Sequence, residues 1–231
     1  MLPAACLALL LSASIVPSPA VAQGTCGPSP LGAPCEQGGL AVSPATEPQI
    51  NLGAGNPIHL VTGNKYQQET DLPANPDAPG IEVVRHYNAM DLRVSPLGQG
   101  WHLSYDTRLY AIGGRWQIVQ ADGSRITFTG ASGTPLPHAR GVLSFDGVRW
   151  RWTWPDGRQL HFNAAGHLVR IRAPGRYDIA IQRHTDPGPL NGSIETVIND
   201  RGQTLHFHYR LLGNQALLDY IDTPLGRYSY R

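Results

Sequence analysis

The residues best equipped for chemistry are three aspartates that each precede a glycine: Asp122, Asp146 and Asp156. Glycoside hydrolysis needs two carboxylates converging on a cleft. Each of these aspartates, however, lies between two strand-like runs, where Asp-Gly is a hairpin-turn dipeptide of the type I′ kind. A turn role is therefore expected. Glu69 and Asp71 share a strand face at i, i+2 and read as a solvated edge. His206-x-His208 sets two imidazoles on one strand face, but no third ligand stands at a metal-site spacing. Trp150-Arg-Trp-Thr-Trp154 sets three indoles on one face. Exposed, Trp150, Trp152 and Trp154 would form a glycan-stacking platform; buried, they would form a core stripe with Trp101 and Trp116. The sequence contains no Gly-x-Ser-x-Gly elbow and no glycine-rich loop opening a helix. The expectation is a protein that is not an enzyme and has no cofactor and no metal.

The elements that position these residues read as short strands. Ile58, Leu60 and Thr62 alternate on one side of Thr62-Gly63-Asn64, and Tyr66, Gln68 and Thr70 alternate on the other, which predicts an opening hairpin. Ile81 to Tyr87 has strand composition, and Trp101, Leu103, Tyr105, Thr107 and Leu109 predict one long strand with a core-facing stripe. A unit then recurs: Asp122-Gly-Ser-Arg-Ile-Thr-Phe128, Asp156-Gly-Arg-Gln-Leu-His-Phe162 and Arg201-Gly-Gln-Thr-Leu-His-Phe207. The turn glycines Gly157, Gly175, Gly202 and Gly226 lie 18, 27 and 24 residues apart, an imperfect hairpin repeat. The predicted fold is all-β: an antiparallel hairpin-repeat sheet, open or curled into a partial shell. Trp101, Tyr105, Trp116, Phe128, Trp152 and Phe162 are its expected core.

Among the 231 residues, 26 Gly and 20 Pro suit a turn-rich chain. A net charge of +1 with 15% charged residues leaves no electrostatic footprint for nucleic acid or anionic lipid. Residues 1–22 read as an export signal, with Ala20-x-Ala22 before the cut and an apolar run too short to span a bilayer. The signal is expected as a helix, and no membrane span is expected after its removal. Residues 23–55 read as a disordered Pro/Gly-rich spacer. Cys26 and Cys35 lie in it, at a spacing that allows a small-loop disulfide; two free thiols are the alternative. The expected location is periplasmic, cell-surface or secreted.

Asn56-Pro57, Thr62-Gly63-Asn64-Lys65 and Glu69-Thr70-Asp71 resemble the opening motif of the Rhs, or YD-repeat, family. Arg85-His-Tyr87-Asn and Gly98-Gln-Gly100-Trp101 resemble the next block of the same N-terminal module. The resemblance implies a module over 56–130, YD-like hairpins over 131–231, and a β-shell that encloses or presents a toxin or surface domain. It carries over Asn56, Pro57, Thr62, Gly63, Asn64, Glu69, Asp71, Arg85, Tyr87, Gly98, Gly100 and Trp101 as structural positions only. The partners it implies are downstream Rhs repeats or a separately encoded shell or toxin polypeptide. Cell-surface glycan is the alternative partner, through the tryptophan face.

Overall fold

The computed structural model describes residues 64–130, 135–138 and 141–231, and the backbone of 53–54 and 58–59. The signal, the spacer, Cys26, Cys35, Asn56, Pro57, Thr62 and Gly63 lie outside the described residues. The first strands in order are β1 (Gly53–Ala54), β2 (Ile58–His59), β3 (Tyr66–Leu72), β4 (Val83–Asn88), β5 (Val94–Ser95), β6 (Gly98–Gln99) and β7 (Trp101–Leu103). A 3-10 turn (Ser104–Asp106) leads into β8 (Arg108–Ile112), β9 (Arg115–Val119) and β10 (Arg125–Thr129). Then come β11 (Leu136–His138), β12 (Gly141–Phe145), β13 (Trp150–Thr153), β14 (Gln159–Phe162) and β15 (Leu168–Ala173). The last are β16 (Tyr177–Arg183), β17 (Ile194–Asn199), β18 (Thr204–Leu212), β19 (Gln215–Thr223) and β20 (Gly226–Ser229). No α-helix occurs among the described residues, every strand pair is antiparallel, and the sheets are open.

β11 to β20 form one ten-stranded meander in which each strand pairs with the next in the chain. Period-two alternation makes its rows. Leu136, Leu143, Trp152, Leu160, Ile171 and Ile179 stand opposite one another across six strands, and all are buried. The smaller sheets, β3-β4-β7 and β8-β9-β10, pack on this face in one continuous core. Trp116 meets Trp150 at 4.1 Å, and Phe128 meets Trp152 edge-on at 5.2 Å.

The recurring unit has one physical cause. At Gln120, Trp154 and Asn199 the backbone N–H donates to the carbonyl four residues on, and the glycine three residues on donates back. Gly123, Gly157 and Gly202 all adopt positive φ. This is the three-residue loop closed by a left-handed glycine, not the two-residue Asp-Gly turn expected from sequence. Asp122 and Asp156 each accept the backbone N–H two residues on, which fixes the loop. Where Arg201 replaces aspartate, Asn199 supplies the acceptor from the first position instead. Phe128, Phe162 and Phe207 follow at the same offset, and all three are buried. A fourth copy of the turn, Asn163 to His167, docks on β8: Leu109 N–H donates to Gly166 O at 2.8 Å. A Cβ on Gly166 would lie 1.9 Å from the Leu109 carbonyl oxygen, so the approach excludes any side chain.

β2 pairs with β1, and β3 pairs with β4; residues 60–63, across which the opening hairpin is expected to turn, lie outside the described residues. One expectation is corrected. The stripe from Trp101 to Leu109 is not one strand. The Asp106 carboxylate accepts the Leu103 N–H at 3.0 Å, and the 3-10 turn interrupts the ladder. Leu103, Tyr105, Thr107 and Leu109 remain buried, while Trp101 is only partly so.

Candidate functional site

The residues singled out from the two sequence blocks converge on the β3-β4-β7 sheet. Antiparallel pairing sets Glu69 opposite Arg85, Arg85 opposite Leu103 and Tyr87 opposite Trp101. Asp71, at the far end of β3, takes the Arg85 guanidinium in a two-pronged pair, 2.7 Å from Nε and 2.8 Å from Nη2. That planar fork matches a carboxylate in a way lysine does not. Arg85 also lies over the rings of Trp101, at 5.1 Å, and Tyr230, at 5.4 Å. The Tyr230 hydroxyl donates to Asp71 at 2.8 Å. Asp71 and Arg85 of the opening blocks thus hold Tyr230. Glu69 accepts a bond from the Gln67 side chain. Asn64 is buried and accepts the Met90 N–H, and Gly98 turns at positive φ in open space. Gly100 has positive φ, and a Cβ there would lie 2.7 Å from the Asn88 carbonyl oxygen.

A second cluster lies beneath, centred on Asp91 and Arg93, which the sequence reading passed over. Asn88, on β4, donates to the Asp122 carbonyl at 2.9 Å and so ties this sheet to the first Asp-Gly turn. Asp91, in the loop that follows, receives Arg93 on both oxygens, at 2.5 to 3.0 Å. Arg93 also donates to the Gln120 carbonyl at 2.7 Å. Gln120 donates to Ser124, and Ser124 donates to Asp122. Burial alone would push the Asp91 carboxyl up, but the guanidinium beside it holds it below its ordinary value. The only hint in the sequence is the close spacing of Asp91 and Arg93.

His86 sits between two hydroxyls of neighbouring elements, with Nδ1 2.9 Å from the Tyr66 hydroxyl and Nε2 3.0 Å from the Ser104 hydroxyl. Burial, aided by neighbouring His102, pushes its pKa down to about 4. His167 is also pushed down to about 4, by burial and then by Arg108 and Arg183. Both values lie below the unfolded one, so the unfolded chain binds these protons first on acidification. Their contribution is fully present above about pH 6.5 and is lost as pH falls toward 4. Urea unfolding across that range is expected to show stability dropping by up to about 3 kcal/mol for His86 alone, at about 1.4 kcal/mol per pKa unit. In His86→Gln the fall is expected to be correspondingly shallower.

The other candidates fall elsewhere. Trp150, Trp152 and Trp154 are 5%, 0% and 6% exposed, so none offers an open ring face to a sugar. Buried against Trp116 and Phe128, they take the core alternative. Asp122, Asp146 and Asp156 all sit in turns, and Asp146 accepts the N–H groups of Val148 and Arg149. His206 stands opposite Asp222, and His208 stacks on Tyr220 at 4.2 Å.

Residues 55–128, which carry both clusters apart from Tyr230, match a family described as a domain of unknown function (DUF6531). The chain is 31% identical over 127 residues to double-stranded DNA deaminase toxin A of Burkholderia cenocepacia (strain H111), covering 53% of this chain and 8% of that protein. It is 26% identical over 144 residues to tRNA nuclease WapA of Bacillus subtilis (strain 168), covering 61% of this chain and 6% of that protein. The chain therefore spans less than a tenth of either relative. The relatives are named for enzymatic action, and this overturns the expectation of a protein that is not an enzyme. What this chain is similar to are stretches of enzymatic toxins and nucleases.

Proposed function

We propose that this chain is part of a toxin-bearing protein with enzymatic action on nucleic acid, and that the described residues build the opening wall of an Rhs-type β-shell around that activity. The observation that carries the reading is the meander, which adds one strand at a time in chain order and ends on β20, paired only with β19 among the described residues. Hairpins that cannot bury an apolar face alone gain stability by stacking beside the next, and the last edge offers unpaired backbone groups. The Asp71–Arg85–Tyr230 grip gives the wall a fixed relation between its first strands and its last. The names of the relatives support the enzymatic and toxin parts. Export, the downstream shell partner and the surface setting belong to the same proposal.

The edge is tested directly. Tyr230 N–H donates to Asp219 O, toward β19, so by strand alternation the Ser229 N–H faces away. Ser229→Pro removes that outward donor and leaves the β19 ladder intact. Light scattering on the whole chain is expected to show concentration-dependent association that Ser229→Pro suppresses without changing the melting temperature. A strictly monomeric parent, or a variant that associates equally, contradicts the open-edge reading.

A further inference from the structure

A cavity of about 220 Å³ lies between the 3-10 turn, β8 and the β16–β19 part of the large sheet. Its charged lining comprises Arg93, Arg108, Arg183 and one carboxylate, Asp106. Arg93 is already neutralised by Asp91 outside the lining. Arg183 uses three of its five N–H donors on backbone carbonyls, those of Leu168, Gly192 and Tyr105, and makes no ion pair among the described residues. Arg108 makes one long side-chain hydrogen bond, 3.4 Å, to the Ala165 carbonyl and lies over the Tyr110 ring at 5.1 Å, and its Nε is buried with no hydrogen-bond partner. Two arginines therefore face one carboxylate, which leaves one positive charge in excess. The cavity walls also hold a stranded donor, and stranded buried donors call for an explanation.

We propose that this cavity binds one small oxyanion, a carboxylate or phosphate group held by Arg108 and Arg183. Arginine forks suit planar or tetrahedral oxygens, and partial burial strengthens the attraction relative to open water. The site is separate from the β20 edge and stands or falls apart from the shell reading.

The test is calorimetric titration of the whole chain with inorganic phosphate and with succinate at constant ionic strength. One-site saturable binding is expected for at least one of them, and which one binds tells phosphate from carboxylate. Arg108→Gln is expected to weaken it at least tenfold. Asp106→Asn, which keeps an acceptor for the Leu103 N–H but removes the opposing charge, is expected to tighten it severalfold. No saturable binding of either probe overturns the proposal, as does binding that neither substitution moves.

Discussion

Asp91→Ala is expected to cost about 3–5 kcal/mol of folding stability, the range for breaking a buried pair from one side. The Asp91 side chain is 2% exposed and Arg93 19%, and both carboxylate oxygens are engaged by the guanidinium. Removing the carboxylate strands a largely buried cation that keeps only neutral partners, the Gln120 carbonyl and the Tyr110 side chain. The loss would spread, because Gln120, Ser124 and Asp122 form one chain of bonds that ends at the first repeat turn. The double replacement Asp91→Leu with Arg93→Met is expected to cost less than Asp91→Ala, since it leaves no uncompensated charge. Chemical denaturation of the two variants separates these outcomes. A double variant at least as unstable as the single one would mean that the pair does more than satisfy itself.

Trp152→Ala is expected to cost about 3–5 kcal/mol, the usual range for deleting a large buried aromatic. Trp152 is fully buried, lies opposite Leu143 and Leu160, and meets the rings of Phe128 and Trp154 edge-on. It joins the large sheet to the β8-β9-β10 sheet, so the void would open where two layers meet and neither could collapse alone. Trp152→Phe is expected to cost only about 1–2 kcal/mol, because volume-sparing aromatic and apolar swaps are tolerated. The indole Nε1 finds no partner among the described residues, so its removal loses no hydrogen bond. Equal losses in the two variants would mean the indole is held by something other than packing.

The fold class was legible because strands and turns here are locally encoded. Alternation and positive-φ glycines suffice to place the recurring unit, and Phe128, Phe162 and Phe207 follow from it. The pairing of β3 with β4, where Glu69 meets Arg85 and Asp71 reaches the Arg85 guanidinium, was not legible, because partners joined by a long loop are chosen by tertiary packing and not by a local turn signal. The break after Leu103 was hidden for a different reason: one side-chain carboxylate, Asp106, competes for a backbone N–H that alternation assigns to a ladder.

The site was half legible. Asp71, Arg85 and Trp101 stood out by resemblance, but nothing local pointed to Tyr230, 159 residues from Asp71. The Asp91–Arg93 pair sits in a segment whose composition says only loop, and its value comes from the burial that neighbouring strands impose. The tryptophan run was ambiguous by nature, since period two describes a stripe without saying what covers it. The enzymatic association lay outside the reach of residue patterns, since no nucleophile or metal-ligand spacing announced it; it rests on the relatives.

The most direct measurement of the central claim is hydrogen exchange at single-amide resolution on β19 and β20 in the isolated chain. An open, extendable edge predicts fast exchange at the outward-facing Ser229 amide and strong protection at Tyr230, whose N–H donates inward to Asp219. Alternating protection along β20 would mean that the wall ends on an edge able to take another strand. Uniform protection across Ser229 and Tyr230 would mean the edge is covered, and the account of this chain as the opening wall of a larger β-shell would fail.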